Sequence, residues 1–244
     1  MNGSTAFLVC GGPSAASPDV RQLETVRGSL LAAINLAGAA LVRPHLWFCG
    51  DQPSRFPLSI WKDPAVLKHV RDVHLEAPLS RRFANGVLAQ AYGQTPRGCP
   101  SVASYSVQTK GVDPETFFEA GPVQWGDVDR RSTLLVALRL LYGHGVRTLF
   151  LVGCDFTMTR KPYAFDVVPS AKSIIGNEDL FPWLDETLHA LRPAAERNGL
   201  KVFNCTPGGN LTAFNRVDLS DAVAYVREAC PVETDFQEYY HASS

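Results

Sequence analysis

The strongest constraint on the fold is a short apolar run near the start of the chain, Ala6 to Cys10, that ends in Gly11-Gly12-Pro13-Ser14. Five apolar residues are too few for a core helix and are typical of a strand buried on both faces. The two glycines allow the backbone to approach a ligand, and Pro13 and Ser14 can begin a helix whose free N–H groups face the strand end. The segment therefore predicts either a phosphate-binding turn or an ordinary strand-to-helix turn. It matches neither G-x-G-x-x-G nor G-x-x-x-x-G-K-[ST].

Strand-like and helical patterns alternate along the rest of the chain. This alternation predicts an α/β fold with a doubly wound, mostly parallel, Rossmann-like sheet. We expect a single domain over residues 1–230, followed by a C-terminal tail over residues 231–244. The predicted strands after the first are Leu31–Asn35, His45–Cys49, Val70–Leu75, Thr148–Val152 and Lys201–Cys205, and the predicted helices are Asp19–Arg27, Ser132–Gly143, Asp179–Asn198 and Leu219–Ala229.

Three segments depart from this alternation. Residues 76–131 are rich in Gly, Pro and Ser and predict an irregular lid or an insertion over the sheet. Residues 156–178 predict a long irregular loop, which in a compact domain is typical of a functional segment. The tail is acidic and aromatic, and it suits packing on the surface or on a second subunit, as in a homo-oligomer.

Composition excludes several function classes. A net charge of −1 gives no global field for nucleic acid or an anionic membrane, so a DNA acceptor is not indicated by charge. No apolar run approaches the ~20 residues that span a bilayer, and the first residues lack the charged start of a signal peptide. The six cysteines form no C-x-x-C pair, which argues against structural zinc and disulfides and suits a reducing cytoplasm.

Polar residues follow four of the predicted strands. They are Gly11–Ser14, Asn35, Gly50-Asp51 and Gly153-Cys154-Asp155-Phe156. Because carboxyl ends of strands in a doubly wound sheet face one crevice, we expect these residues to share a ligand site. Asp51 and Asp155 suit either capping of a loop or helix, or contact with a ribose, an amino group or a divalent cation.

Other candidates lie on the predicted loop and before a helix. Tyr163 can donate its hydroxyl to a phosphate or pin the loop with its ring, and Arg160 and Lys161 can neutralise a diphosphate or lie in solvent. Arg130-Arg131 precede Ser132, where an anion would dock on the following helix. The six histidines form no metal-binding pattern, and there is no Gly-x-Ser-x-Gly elbow.

The order of these motifs resembles the family 42 sialyltransferases, the flagellin-modifying motility accessory factors and the archaeal-type hydroxymethylpterin pyrophosphokinases. The resemblance covers most of residues 5–225 as short motifs in the same order. The matching pieces are Gly11–Ser14, Asn35, Gly50–Asp51, Ser132-Thr133, Gly153–Phe156, Tyr163–Asp166 and Cys205–Pro207, with the closing stretch 199–214.

The resemblance to the sialyltransferases implies a site for a nucleotide-activated sugar. It implies roles in donor binding for Gly12, Ser14, Asn35, Ser132 and Tyr163, with loop tyrosines at the leaving phosphate. We expect the donor site to include Gly11, Pro13, Thr133 and Lys161 as well. The catalytic histidine of the sialyltransferases is missing, since Ile175-Gly176-Asn177-Glu178-Asp179 stands there. A carboxylate, which is Glu178, Asp179 or Asp166, would replace it as general base. The catalytic candidates are Asp155, Asp51, Asp166 and Glu178. The acidic pair that the pyrophosphokinases use for Mg²⁺ is reduced to Asp51.

The sequence therefore predicts a nucleotide-dependent transferase, foremost a glycosyltransferase that moves a sugar to an acceptor hydroxyl on a glycan, a protein or a hydroxylated nucleobase. One alternative is a Mg²⁺-dependent diphosphokinase of the hydroxymethylpterin pyrophosphokinase type, with Asp51 and Asp155 as metal ligands. A second alternative is a nucleotide-binding protein without catalysis.

Overall fold

A computed structural model describes residues 3–79, 94–158 and 161–229. Its centre is a seven-stranded sheet in the order β5-β4-β3-β2-β1-β8-β9, in which every neighbouring pair is parallel. The predicted α/β, doubly wound, parallel architecture is confirmed. The strands are β1 Ser4–Val9, β2 Ser29–Ile34, β3 Leu46–Cys49, β4 Leu67–Arg71, β5 Val102–Tyr105, β6 Val107–Gln108, β7 Val123–Gln124, β8 Val146–Val152 and β9 Lys201–Asn204. The short strands β6 and β7 pair with each other beside the main sheet.

Helices cover both faces of the sheet because the central strands carry apolar runs that are buried on both sides. In β1, Ala6 and Leu8 belong to the core shared with α4 and α5, and Phe7 and Val9 belong to the core shared with α1 and α6. This two-sided burial is the reason the run from Ala6 is continuous rather than alternating. The helices are α1 Pro18–Gln22, α2 Ala37–Ala40, α3 Leu58–Lys62, α4 Thr133–Gly143, α5 Ala171–Arg197 and α6 Leu219–Ala229.

The strand order places a topological switch point between β1 and β8. From β1 the chain moves outward through β2, β3 and β4 to β5, and it then returns to β8 on the other side of β1. In open α/β sheets of this kind, ligands bind beyond the carboxyl ends of the strands at the switch point. We call this side of the sheet, where the strand carboxyl ends lie, the carboxyl edge.

Several predicted boundaries were wrong. The fourth strand is Leu67–Arg71, and residues 72–74, predicted to continue it, form a 3₁₀ turn. The long helix begins at Ala171, so the described irregular residues of the predicted loop are 156–158 and 161–170. The segment 76–131, predicted as a lid or insertion, supplies the edge strand β5 to the main sheet, and its residues 80–93 lie outside the described residues.

The remaining helix predictions differ in length. The predicted helix Asp19–Arg27 is the short α1 followed by a 3₁₀ turn over Leu23–Thr25.

Within the described residues, no helix is both long and apolar enough to cross a membrane. The five described cysteines are free thiols, four of them buried. The predicted tail, residues 231–244, lies outside the described residues.

Candidate functional site

The turns after β1 and β8 are bonded to each other at the switch point. The Gly12 amide donates to the Gly153 carbonyl at 3.0 Å. The Ser14 hydroxyl donates to one Asp155 carboxylate oxygen at 2.8 Å, and the Ser14 amide lies 3.3 Å from both oxygens. Asp155 thus places its carboxylate at the start of the 3₁₀ turn Pro13–Ala16, where the sequence predicted a phosphate. In this position the Asp155 carboxylate stabilises the turn after β1 by accepting hydrogen bonds from Ser14.

Close packing of the two turns requires glycine at position 12, because Asp155 and Gly153 occupy the space that a side chain would need. A Cβ at Gly12 would overlap the Asp155 carboxylate and lie 2.6 Å from the Gly153 carbonyl oxygen. The partner turn is bent by two positive φ angles, 73° at Gly153 and 52° at Phe156. The Asn210 side chain donates to the Phe156 carbonyl at 3.0 Å and so helps to hold that bend.

Asp155 is the buried member of the four carboxylate candidates, with 6% of its surface exposed. Burial raises the pKa of Asp155, and the hydrogen bonds from Ser14 oppose that rise. The other three candidates are more exposed: Asp51 forms an ion pair with Arg55 at 3.0 Å, Asp166 lies on the loop after β8, and Glu178 lies on α5.

The loop before α5 lies against the glycine turn. The Ala164 amide donates to the Gly11 carbonyl at 3.1 Å, and a Cβ at Gly11 would touch the Phe165 ring at 3.3 Å. The Tyr163 ring stacks on Phe165 with 5.5 Å between centroids. The Tyr163 hydroxyl accepts a hydrogen bond from the Asn177 amide of α5 at 3.4 Å. Tyr163 therefore joins the loop to α5. Lys161, on the same loop, is exposed.

The first half of α5 extends beyond the sheet. Its 27 residues make a helix about 40 Å long, and its buried residues begin at Leu184. Because α5 leads down to the start of β9, its amino-terminal half stands above the carboxyl edge. Phe156 stacks on Phe181 of α5 with 5.1 Å between centroids, which marks the level of that edge on the helix.

Asn35 joins three elements at the carboxyl edge. It follows β2 with a φ of 46°, a conformation that asparagine tolerates better than most residues. Its side-chain oxygen accepts from the Gly50 amide at 3.1 Å, and its side-chain nitrogen donates to the Thr133 hydroxyl at 3.3 Å. A Cβ at Gly50 would overlap that hydroxyl. We call this contact of Asn35, Gly50 and Thr133 the Asn35 bridge.

The amino terminus of α4 lies at the same place. The Ser132 hydroxyl caps α4 by accepting from the Leu134 amide at 3.2 Å, and the Ser132 amide donates to the Trp125 carbonyl at 2.9 Å. These bonds bring Trp125 to the helix terminus. The predicted residues Asn35, Gly50, Ser132 and Thr133 are therefore close together in the structure.

Two cations lie at this terminus: Arg131, which the sequence predicted beside an anion, and Arg71, which was missed in the sequence together with Trp125. The Arg71 guanidinium, at the end of β4, lies 4.1 Å from the centre of the Trp125 ring, and that of Arg131 lies 5.5 Å from the same centre. We call Arg71, Trp125 and Arg131 the Trp125 cluster. Burial lowers the pKa of Arg71, and Arg131 adds to this effect. Burial and then Arg71 lower the pKa of the neighbouring His74.

The carboxyl edge thus has two parts, the turns of β1 and β8 under the loop of Tyr163, and the Asn35 bridge with the Trp125 cluster. Among the described residues, no group of three or more His, Cys, Asp or Glu side chains is placed to hold a metal ion. Asp51 and Asp155 therefore have no third ligand of these types beside them in that part of the chain. Arg160 lies outside it.

Comparisons with known proteins give little further information. No protein-family description matches the chain, and no curated protein matches it. One similar solved structure is titled "Structure of MAf glycosyltransferase from Magnetospirillum magneticum AMB-1". It shares 13% identity with a TM-score of 0.47 over 93% of this chain, which spans 37% of the length of that one. A likeness of this degree carries no argument about function.

Proposed function

We propose that the protein is a nucleotide-dependent transferase of the glycosyltransferase kind. It holds a nucleotide-activated sugar at the carboxyl edge and transfers the sugar to an acceptor hydroxyl. The observation that carries this proposal is the Asn35 bridge: residues far apart in the sequence meet where the ends of β2 and β3 reach the amino terminus of α4. The resemblance to the sialyltransferases implies a nucleotide at this set of residues.

The chemistry of the edge suits an anionic donor. The α4 terminus carries the positive end of a helix dipole, and Arg131 directly precedes its Ser132 cap. When a sugar is transferred, the phosphate that leaves with the nucleoside gains negative charge, and fixed positive groups stabilise that charge. The Trp125 cluster supplies two such groups beside the Asn35 bridge.

In this proposal the turn Gly11–Ser14 supports the site and does not bind the phosphate, although the sequence had suggested that it could. The Ser14 amide and hydroxyl face the Asp155 carboxylate, so this turn supports the floor of the site and the phosphate lies nearer to α4. Tyr163 and the exposed half of α5 form a wall above the floor. The acceptor enters beside this wall.

The test measures the binding of a panel of nucleotides and nucleotide sugars by thermal shift and by calorimetry. Each ligand is measured once with Mg²⁺ and once with EDTA. We expect at least one nucleotide sugar to raise the melting temperature in EDTA, because ligand that binds the folded state stabilises it. A response to ATP that requires Mg²⁺ would instead support the diphosphokinase alternative. The absence of any response would contradict the proposal.

A pair of matched variants locates the site. Thr133→Val removes the hydroxyl that accepts from Asn35 and keeps the shape of the side chain. Thr187→Val removes a hydroxyl that donates to the Trp183 carbonyl within α5, away from the bridge. We expect the first change to weaken nucleotide binding about tenfold and the second to leave it unchanged. Equal effects of the two changes on nucleotide affinity would show that the Asn35 bridge is not part of the nucleotide site.

A further inference from the structure

Two buried side-chain nitrogens lack a hydrogen-bond partner among the described residues, and they lie in one cluster. They are Nε of Arg71 and Nε1 of Trp125. Trp125 is 4% exposed, so water does not reach its indole nitrogen freely. A buried donor without an acceptor costs about 1–3 kcal/mol, and native proteins rarely keep two in contact without a use. Their presence together points to acceptor oxygens from a ligand.

Positive charge is concentrated at the same ring. Both guanidinium groups lie within 6 Å of the Trp125 ring centre, and no carboxylate of the described residues forms an ion pair with Arg71 or Arg131. Asp51, the carboxylate after β3, is paired with Arg55. Two like charges beside one ring repel each other, and an anion that lies between them offsets this repulsion.

A tight turn holds Arg131 in this place. Gly126 has a φ of 122° and bridges to Arg131, and a Cβ at Gly126 would overlap the Arg130 carbonyl. The Asp127 carboxylate accepts from the amides of Asp129 and Arg130 at 2.9 and 2.7 Å, which fixes the turn. The turn brings the chain back from Trp125 to the start of α4, so the backbone holds Arg131 beside Trp125 and the helix terminus. Arg71 reaches the same ring from the end of β4.

We propose that the Trp125 cluster is a diphosphate subsite, which takes the two phosphate groups of a nucleoside diphosphate donor. The nucleotide part of this proposal rests on the proposed function, whereas binding of a diphosphate does not. The diphosphate of a nucleotide sugar carries two negative charges, which match the two guanidinium groups, while a nucleoside monophosphate sugar has one charged phosphate. Guanidinium groups bind phosphate oxygens through paired N–H donors, and the Trp125 nitrogen supplies a further donor.

The experiment measures binding of inorganic pyrophosphate, UDP and UMP by calorimetry to the full chain and four variants. Arg71→Gln and Arg131→Gln each remove one cation, and Trp125→Phe removes the indole donor but keeps a ring beneath Arg71. Arg130→Gln is the matched control, since it removes one positive charge from the adjacent residue. We expect pyrophosphate affinity to fall about tenfold or more in the first three variants and to stay within about twofold in the control.

Trp125→Phe also separates a binding role from a structural one. Because its lost nitrogen has no partner in the free protein, we expect the melting temperature of this variant to stay the same or rise while pyrophosphate affinity falls. Equal affinity in Trp125→Phe and the unchanged protein would overturn the role of the indole. If Arg71→Gln does not fold, Arg131→Gln and Trp125→Phe still decide the proposal.

The outcomes separate this subsite from the proposed function. Pyrophosphate binding that depends on the three residues, without binding of any nucleotide sugar, would support the subsite and contradict the transferase. Nucleotide-sugar binding that is unchanged in all three variants would support the transferase and overturn the subsite. Failure of the unchanged protein to bind pyrophosphate, or binding of UMP as tightly as UDP, would also overturn it.

Discussion

Acid should destabilise this fold through one buried histidine. His69 lies on β4 with 5% of its surface exposed, and its ring stacks on Phe48 with 5.1 Å between centroids. Its Nε2 lies 2.8 Å from Nε2 of His144, at the end of α4. Burial, with a smaller effect from His144, lowers the pKa of His69 from 6.5 to about 4. The folded protein therefore holds His69 in its neutral form.

The size of the effect follows from this lowered pKa. In the unfolded chain His69 binds a proton below pH 6.5, and in the folded protein it does so only near pH 4. Proton binding by the unfolded state reduces the free energy of unfolding as pH falls through this interval, by ~1.4 kcal/mol for each pH unit of difference. The contribution is present in full above pH 6.5, and its loss reaches about 3 kcal/mol once pH has fallen to about 4.

Urea denaturation at pH 7, 6, 5 and 4 measures this loss. His69→Phe keeps a flat ring against Phe48 and cannot be protonated, so its free energy of unfolding should fall by about 3 kcal/mol less than that of the unchanged protein over this range. His144→Gln should retain most of the pH dependence, because burial is the main cause of the lowered pKa of His69. Parallel pH profiles for His69→Phe and the unchanged protein would refute the reasoning.

Three further changes test the structural assignments. Gly12→Ala places a Cβ against the Asp155 carboxylate and should cost about 1–3 kcal/mol or more in urea denaturation; unchanged stability would return Gly12 to the role of a ligand contact. Asp155→Asn keeps an acceptor for Ser14, so the melting temperature should change little. The rate at which the bound donor reacts and frees its nucleotide should also change little, and a fall of about 10²-fold in that rate would make Asp155 catalytic. Lys68→Met removes the fully buried ammonium group whose Nζ donates to three backbone carbonyls and should cost about 3–5 kcal/mol in the same denaturation assay; a loss below about 1 kcal/mol would contradict that role.

The sequence predicted the centre of the sheet well because its strands are buried on both faces. The run from Ala6 and the run ending at Val152 are continuous and apolar, and each is followed by a glycine turn. The edge strand β5 was missed because its residues are only partly buried and its pattern is weak. The start of α5 was missed because its first half lies outside the core and lacks an apolar stripe.

Of the Trp125 cluster, Arg131 was predicted beside an anion, and Arg71 was missed because the fourth strand was placed too late in the chain. Lys68 and His69 look too polar for a buried strand, and their burial depends on carbonyls and on His144 that tertiary packing supplies. With β4 ending at Arg71, that residue would have been recognised as the carboxyl end of its strand and assigned to the carboxyl edge. The contact with Trp125 joins residues 71 and 125, which lie far apart in the sequence, so it leaves no local sequence signal.

Hydrogen exchange of the full chain, with and without the nucleotide sugar that gives the largest thermal shift, tests the central claim most directly. The account predicts slower exchange of backbone amides at the carboxyl edge, in residues 33–37, 49–52 and 125–134, with little change at the opposite edge, in residues 143–147 and 198–202. Slower exchange at that opposite edge with none around Asn35 and Ser132, or no change at saturating nucleotide sugar, would contradict the account.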